Sequence, residues 1–193
     1  STPRGAAVGL FGTLLALLLA WAPAASAQVD DARALANKAL EHYQAGRYAQ
    51  AHDLFDQADK GAHTPVFVLY MARCKKELDA LLASRLLYQR VIDDKLAADA
   101  PKPWSDAQAA AKIELAALQA LIPWLRVVLQ GDRAAGARVA VDGEPNDRVV
   151  REHVMVNPGT HTITVTIGTS VVATTSVRAK RGSGKQQVTI VVP

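Results

Sequence analysis

The feature that most constrains this chain is a change of residue vocabulary at Pro123. Residues 28–122 hold 22 Ala, 4 Val, 1 Thr and 2 Gly, whereas residues 123–193 hold 6 Ala, 15 Val, 8 Thr and 7 Gly. Alanine favours helix, and β-branched Val and Thr favour strands. Helices followed by strands, without alternation, exclude a βαβ fold and predict an α+β chain of two units, 28–122 and 123–193. Charge divides at the same place. The first part carries 12 Lys+Arg against 13 Asp+Glu, and the second 9 against 5. The net +4 of the whole chain has no strong nucleic-acid footprint.

Residues 1–27 read as a secretory signal. Arg4 is the one charge before Asp30, an apolar run covers Leu10 to Ala22, and Ala25-Ser26-Ala27 has the small-x-small cleavage pattern. The run is shorter than the roughly 20 residues of a membrane span. The expectation is export to the periplasm or cell envelope, a mature start at Gln28, and no stable membrane span in the mature chain.

In the first part, Asp30 or Asp31 is expected to cap a helix with Leu35, Ala39, Leu40 and Tyr43 on its apolar side, ended by Gly46. A second helix runs from Tyr48 to Gly61. Thr64-Pro65 begins a third, with Val68, Met71, Ala72 and Leu78, and Leu81, Ser84, Tyr88, Val91 and Ile92 mark a fourth. Ala39, Ala51, Phe55 and Ala58 recur 33 residues later as Ala72, Ser84, Tyr88 and Val91. Small residues at these offsets let paired helices approach, and an aromatic fills the space between them. Asp79 stands where the first repeat has Gly46. After Pro101-Lys102-Pro103, Ser105 is expected to cap a fifth helix through Ile122, with Ile113, Ala117 and Leu121 on its apolar side, as a capping or linker helix.

In the second part, Leu125, Val127 and Leu129 alternate, Asp142-Gly143 signals a turn, and His161, Ile163, Val165 and Ile167 face away from Thr160, Thr162, Thr164 and Thr166. Further strands follow at Val171–Val177 and Val188–Val192, around a Gly182-Ser183-Gly184 turn. Five to seven short strands predict a small antiparallel β-sandwich, Ig-like in layout.

The stretch from Ala32 to about Ala98 resembles two tetratricopeptide repeats, whose period is close to 34. Residues 137–193 resemble the PEGA domain through Ala137–Gly143, Val156–His161 and the alternating strand to Gly168. Glu144–Asp147 and Thr169 depart from that family's usual segments, so contacts there are not carried over. The resemblances imply a secreted bacterial envelope protein, and a concave groove on the first helix of each repeat. That groove would show Arg33, Leu40, Tyr43 and Gln44, then Leu69, Arg73, Lys76 and Glu77. Arg33, Arg73 and Lys76 would suit an acidic or C-terminal carboxylate.

There is no Gly-rich phosphate loop, His-Glu-x-x-His or Gly-x-Ser-x-Gly. Cys74 reads as a small buried hydrophobe, its alternative being a nucleophile. His153 and His161 flank Asn157-Pro158-Gly159 but lack a third ligand, so no metal or other cofactor is expected. Asp53/Asp56 and Asp93/Asp94 read as solvated charge. The basic run Arg178, Lys180, Arg181 and Lys185 reads as a solubilising hairpin tip or the protection of an edge strand, its alternative being contact with anionic polymers, envelope lipids or acidic proteins. The expectation is a non-catalytic scaffold or adaptor that binds a protein or peptide, with an envelope polymer or glycan as a further partner and no nucleic acid. The alternatives are a hydrolase using Cys74, or a structural piece of a larger membrane-anchored envelope protein.

Overall fold

Small residues on one face of each helix set how closely the helices pack, and that decides the first half of the fold. The computed structural model describes residues 22–193, with side chains from residue 27. The predicted leader lies outside the described residues up to residue 21. Helix α1 (Ala22–Gln44) is already running at Ala22 and passes through the expected cleavage point. Asp30 and Asp31 therefore lie inside it and do not cap it. α2 (Tyr48–Gly61), α3 (Pro65–Glu77) and α4 (Leu81–Asp93) follow. Thr64 caps α3 through Oγ1, which accepts from Phe67 N at 3.3 Å, with Pro65 in the first turn.

The 33-residue period holds atom by atom. Ala45, Gly46 and Arg47 donate to Glu41, Tyr43 and His42 carbonyls, and Leu78, Asp79 and Ala80 donate to Cys74, Lys76 and Lys75. α2 begins at Tyr48 and α4 at Leu81. Ala39, Ala51, Phe55 and Ala58 are buried, as are Ala72, Ser84, Tyr88 and Val91. Asp79 takes φ +55°, matching Gly46 at +72°. The left-handed turn is thus kept with a residue that carries a Cβ. Asp is among the few that tolerate it.

α5 (Lys102–Gln119) packs on α3 and α4. Its Gln108 amide donates to the carbonyls of Val91, Ile92 and Asp94, satisfying the end of α4. Two details of the expectation change. The helix starts at Lys102, with Ser105 inside it donating to Lys102 O. Its buried stripe is Ala107, Ala111 and Leu118, while Ile113 is 73% exposed and Ala117 also faces solvent. Leu78, placed with the core by periodicity, is exposed just beyond α3.

The strand half forms two sheets around one core. β1 (Trp124–Gln130) lies between β4 (Val154–Met155) and β7 (Lys185–Val191). The other sheet has the order β3 (Glu144–Pro145), β2 (Ala137–Val141), β5 (Gly159–Ile167), β6 (Ser170–Ala179). A single helical turn, α6 (Arg148–Arg151), brings Val149 into the core beside Leu125, Val127, Val139, Ile163 and Val165. Asp142 and Gly143 both take positive φ in the β2–β3 turn, the geometry such a two-residue loop needs. The expected all-antiparallel arrangement is corrected at one pair. β1 and β7 run parallel, from Trp124↔Lys185 to Gln130↔Val191.

Candidate functional site

The side of the helical unit where a groove is expected begins with aromatic packing. Tyr43, at the end of α1, meets Tyr48 and Tyr70 edge-on, both at 5.4 Å between ring centres. Tyr70 stacks on Phe55 at 5.1 Å, and the Arg73 guanidinium lies 4.9 Å from the centre of the Tyr70 ring. Tyr70 stands three residues before Arg73 on α3, the spacing at which helical side chains meet.

Arg73 then crosses to α5. Its Nη2 donates to Glu114 Oε1 at 2.6 Å, and its Nε reaches both carboxylate oxygens at 3.0 and 3.1 Å. Tyr88 on α4 donates to Glu114 Oε2 at 2.7 Å. Burial pushes the Glu114 carboxyl up, but the hydrogen bonds from Arg73 and Tyr88 outweigh it and the net shift is downward. Arg73 is held more firmly protonated by its bond to Glu114, against the effect of burial. Burial raises Tyr88 further above the ordinary phenol range, and Glu114 adds to it. Tyr43 is raised by burial, with Arg73 pulling the other way.

Of the predicted groove residues, Tyr43, Arg73 and Lys76 share this face. The Arg73 charge is already answered by Glu114. Lys76 pairs with Glu77 at 3.3 Å and is close enough to help lower Glu114. Gln44 is exposed at the end of α1. Arg33 pairs with Asp30 at 3.1 Å and stands about 15 Å before Tyr43 along α1, from the rise per residue. Leu69 is buried in the core, and Leu40 packs against the Ala39–Phe55 cluster, so neither lines an open groove. Tyr70 and Glu114 were missed. The signal for Tyr70 was its helical spacing to Arg73, whereas Glu114 left none.

Cys74 is fully buried with Ala39, Ala51, Phe55 and Met71, and burial pushes its thiol up to about 12. It packs as an apolar side chain. His161 sits between Asp142 Oδ2, 2.6 Å from Nδ1, and Asn157 O, 2.8 Å from Nε2. Each ring nitrogen thus faces a protein acceptor, and His153 stands apart among other residues. Among the described residues no three His, Cys, Asp or Glu side chains gather as a metal site. The Asp142 carboxyl is opposed by burial but held below its usual range by His161 and by Thr162 N.

Arg178, Lys180 and Lys185 of the basic run are exposed, but the run does not sit on a free hairpin tip. The turn between β6 and β7 docks on the helical unit: Gly182 N donates to Leu121 O at 2.8 Å, and Arg181 pairs with Asp79 at 3.1 Å. A third bond joins the units where Leu82 N, at the start of α4, donates to Asn157 Oδ1 at 2.9 Å. Among the described residues no helix is long and apolar enough to cross a membrane. Comparison with protein-family models, with curated proteins and with solved structures returned no match.

Proposed function

We propose that this chain is a non-catalytic adaptor of the bacterial periplasm or cell envelope. Its tetratricopeptide-like helical unit binds a protein or peptide, and its PEGA-like strand unit positions that unit or touches an envelope component. The observation that carries the reading is the 33-residue recurrence of turn bonds, helix starts and buried positions. Repeats of this kind bury a face only by stacking on neighbours, and they leave the first helices side by side as a binding surface. Here that surface is the edge of Tyr43 and Tyr70, with Arg73 over the Tyr70 ring and Lys76 further along α3. Aromatic edges favour a peptide with apolar side chains, and Lys76 on the same helix would favour an acidic one nearby.

The leader pattern supports export. Cleavage after Ala27 would leave α1 with Ala32, Ala39 and Tyr43, the residues that pack the first hairpin. The buried, protonated Cys74 gives no support to a thiol hydrolase, because the thiolate is the nucleophile.

The test is affinity capture from envelope extract with the mature chain and with a Tyr43→Ala, Lys76→Glu double variant. Reproducible recovery of one protein, lost in the variant, is the expected result. Recovery that is unchanged by the variant would remove the groove from the reading, and recovery of glycan alone would move the function to the strand unit.

A further inference from the structure

α4 and the strand unit meet along a second surface, separate from the groove. Leu82, Arg85 and Leu86 face Trp124, Arg148 and Met155 across a cleft of about 540 Å³. A hollow of about 290 Å³ continues from it past Arg85, Trp124 and Met155 to Ile122. The first volume falls within the range of about 300–1,000 Å³ typical of ligand clefts. The walls are fixed relative to each other. Leu82 donates its backbone N–H to Asn157, and Asn157 O is itself held by His161.

The chemistry of the cleft is one-sided. Leu82, Leu86, Trp124, Val154 and Met155 supply its apolar lining, and Asn146, His153 and charged side chains supply the rest. Glu152 is the one acid among the residues lining it, and Arg148 holds that carboxylate at 2.8 Å. Arg85 makes no ion pair or side-chain hydrogen bond among the described residues. A guanidinium without a carboxylate therefore stands beside the apolar part of the lining.

The repeat supplies an independent comparison. In the first hairpin the positions equivalent to Leu82, Arg85 and Leu86 are Ala49, His52 and Asp53. Packing of a repeat thus does not require large apolar side chains there. Leu86 is nevertheless 65% exposed at the mouth of the cleft. An uncompensated cation beside an unpartnered leucine and an aromatic side chain is complementary to a carboxylate next to a large apolar side chain.

We propose that this cleft seats an extended segment of a protein partner. An acidic side chain or chain-end carboxylate lies on Arg85, and the neighbouring apolar side chain packs on Trp124 and Met155 under Leu86. This goes beyond the groove reading and stands or falls separately from it.

The full chain is titrated by fluorescence anisotropy with a labelled decapeptide alternating aspartate with phenylalanine and leucine. A second probe carries lysine at every aspartate, and dodecanoate is the third. Expected is binding of the acidic peptide alone, at least tenfold weaker in Arg85→Glu and in Leu86→Asp, and kept in Arg85→Lys and in Lys76→Glu. Melting curves confirm that each variant folds, and Leu86→Asp changes an exposed position that folding does not depend on. The proposal is overturned by equal binding of the lysine peptide, by binding insensitive to both Arg85→Glu and Leu86→Asp, or by no peptide binding. Binding of dodecanoate alone also overturns it and makes the cleft a small-anion site. Loss in Lys76→Glu with none in Arg85→Glu overturns it too, while leaving the groove in place.

Discussion

The two helical hairpins share a backbone but not a means of attachment. Where the first has Leu40, Gly46, Ala51 and Phe55, the second has Arg73, Asp79, Ser84 and Tyr88. Each replacement adds a polar group, and each finds a partner. Ser84 Oγ donates to Ala72 O at 2.7 Å within its own hairpin. Arg73 and Tyr88 converge on Glu114 of α5, and Asp79 reaches Arg181 at the β6–β7 turn. At these positions the first hairpin packs by shape alone. The second keeps the same shape and uses polar groups to specify which elements follow it. An array of two repeats needs its open end covered, and the extra bonds lie at that end.

The sharpest way to break this comparison is Glu114→Ala. It leaves the partly buried Arg73 guanidinium and the buried Tyr88 hydroxyl without their acceptor, and should cost about 3 kcal/mol in denaturant unfolding. A loss under about 1 kcal/mol would mean that shape alone holds the second hairpin as well.

The turn pair offers a finer test. Gly46→Ala should cost about 1 kcal/mol, because alanine resists the positive φ there. Asp79→Gly relieves that same cost but loses a surface ion pair worth about 0–1 kcal/mol, so stability should stay within about 0.5 kcal/mol. A large loss at Asp79→Gly, seen in thermal unfolding, would assign the inter-unit pair far more weight than an exposed contact normally has.

The smallest effect lies where the hairpins meet. His63 bridges Asp59 at 2.6 Å and Asp94 at 2.9 Å, joining the end of α2 to the end of α4. Burial lowers its pKa, but the bonds to Asp94 and Asp59 outweigh this and raise it. A His raised in the folded state stabilises fully below its unfolded value of about 6.5, and loses that contribution as pH rises through the folded value. The melting-temperature advantage over His63→Gln should therefore be greatest near about pH 5.5 and shrink toward about pH 8.5. An advantage that grows with pH would contradict the bridge.

The parts legible in the sequence are those with a local or periodic cause. Ala39 and Ala72 mark the repeat because helices in contact need small residues at fixed offsets, and Asp142-Gly143 marks a turn because both residues accept positive φ. Asp79 read as a departure from the repeat because its partner Arg181 lies 102 positions away. The buried stripe of α5 was misread because alanines occupy several of its faces and Glu114 lies on the inward one, leaving the 3.6-residue period little contrast. The parallel register of β1 and β7 leaves no local mark at all. Around the proposed groove, Arg33, Tyr43, Gln44, Arg73 and Lys76 were expected from repeat position. Glu114 was not, since it answers to residues on two other helices.

The parallel pairing of β1 with β7 also sets an order of assembly. β1 opens the strand unit and β7 comes last, so their ladder closes over the longest loop in that unit. Helical hairpins close by short loops and form quickly, whereas distant strand pairing is slow. Until β7 arrives, β1 has only the two-residue β4 alongside it, and the β6–β7 turn cannot dock on Leu121. The seal between the β6–β7 turn and the helical unit is thus a contact that waits for the end of the chain.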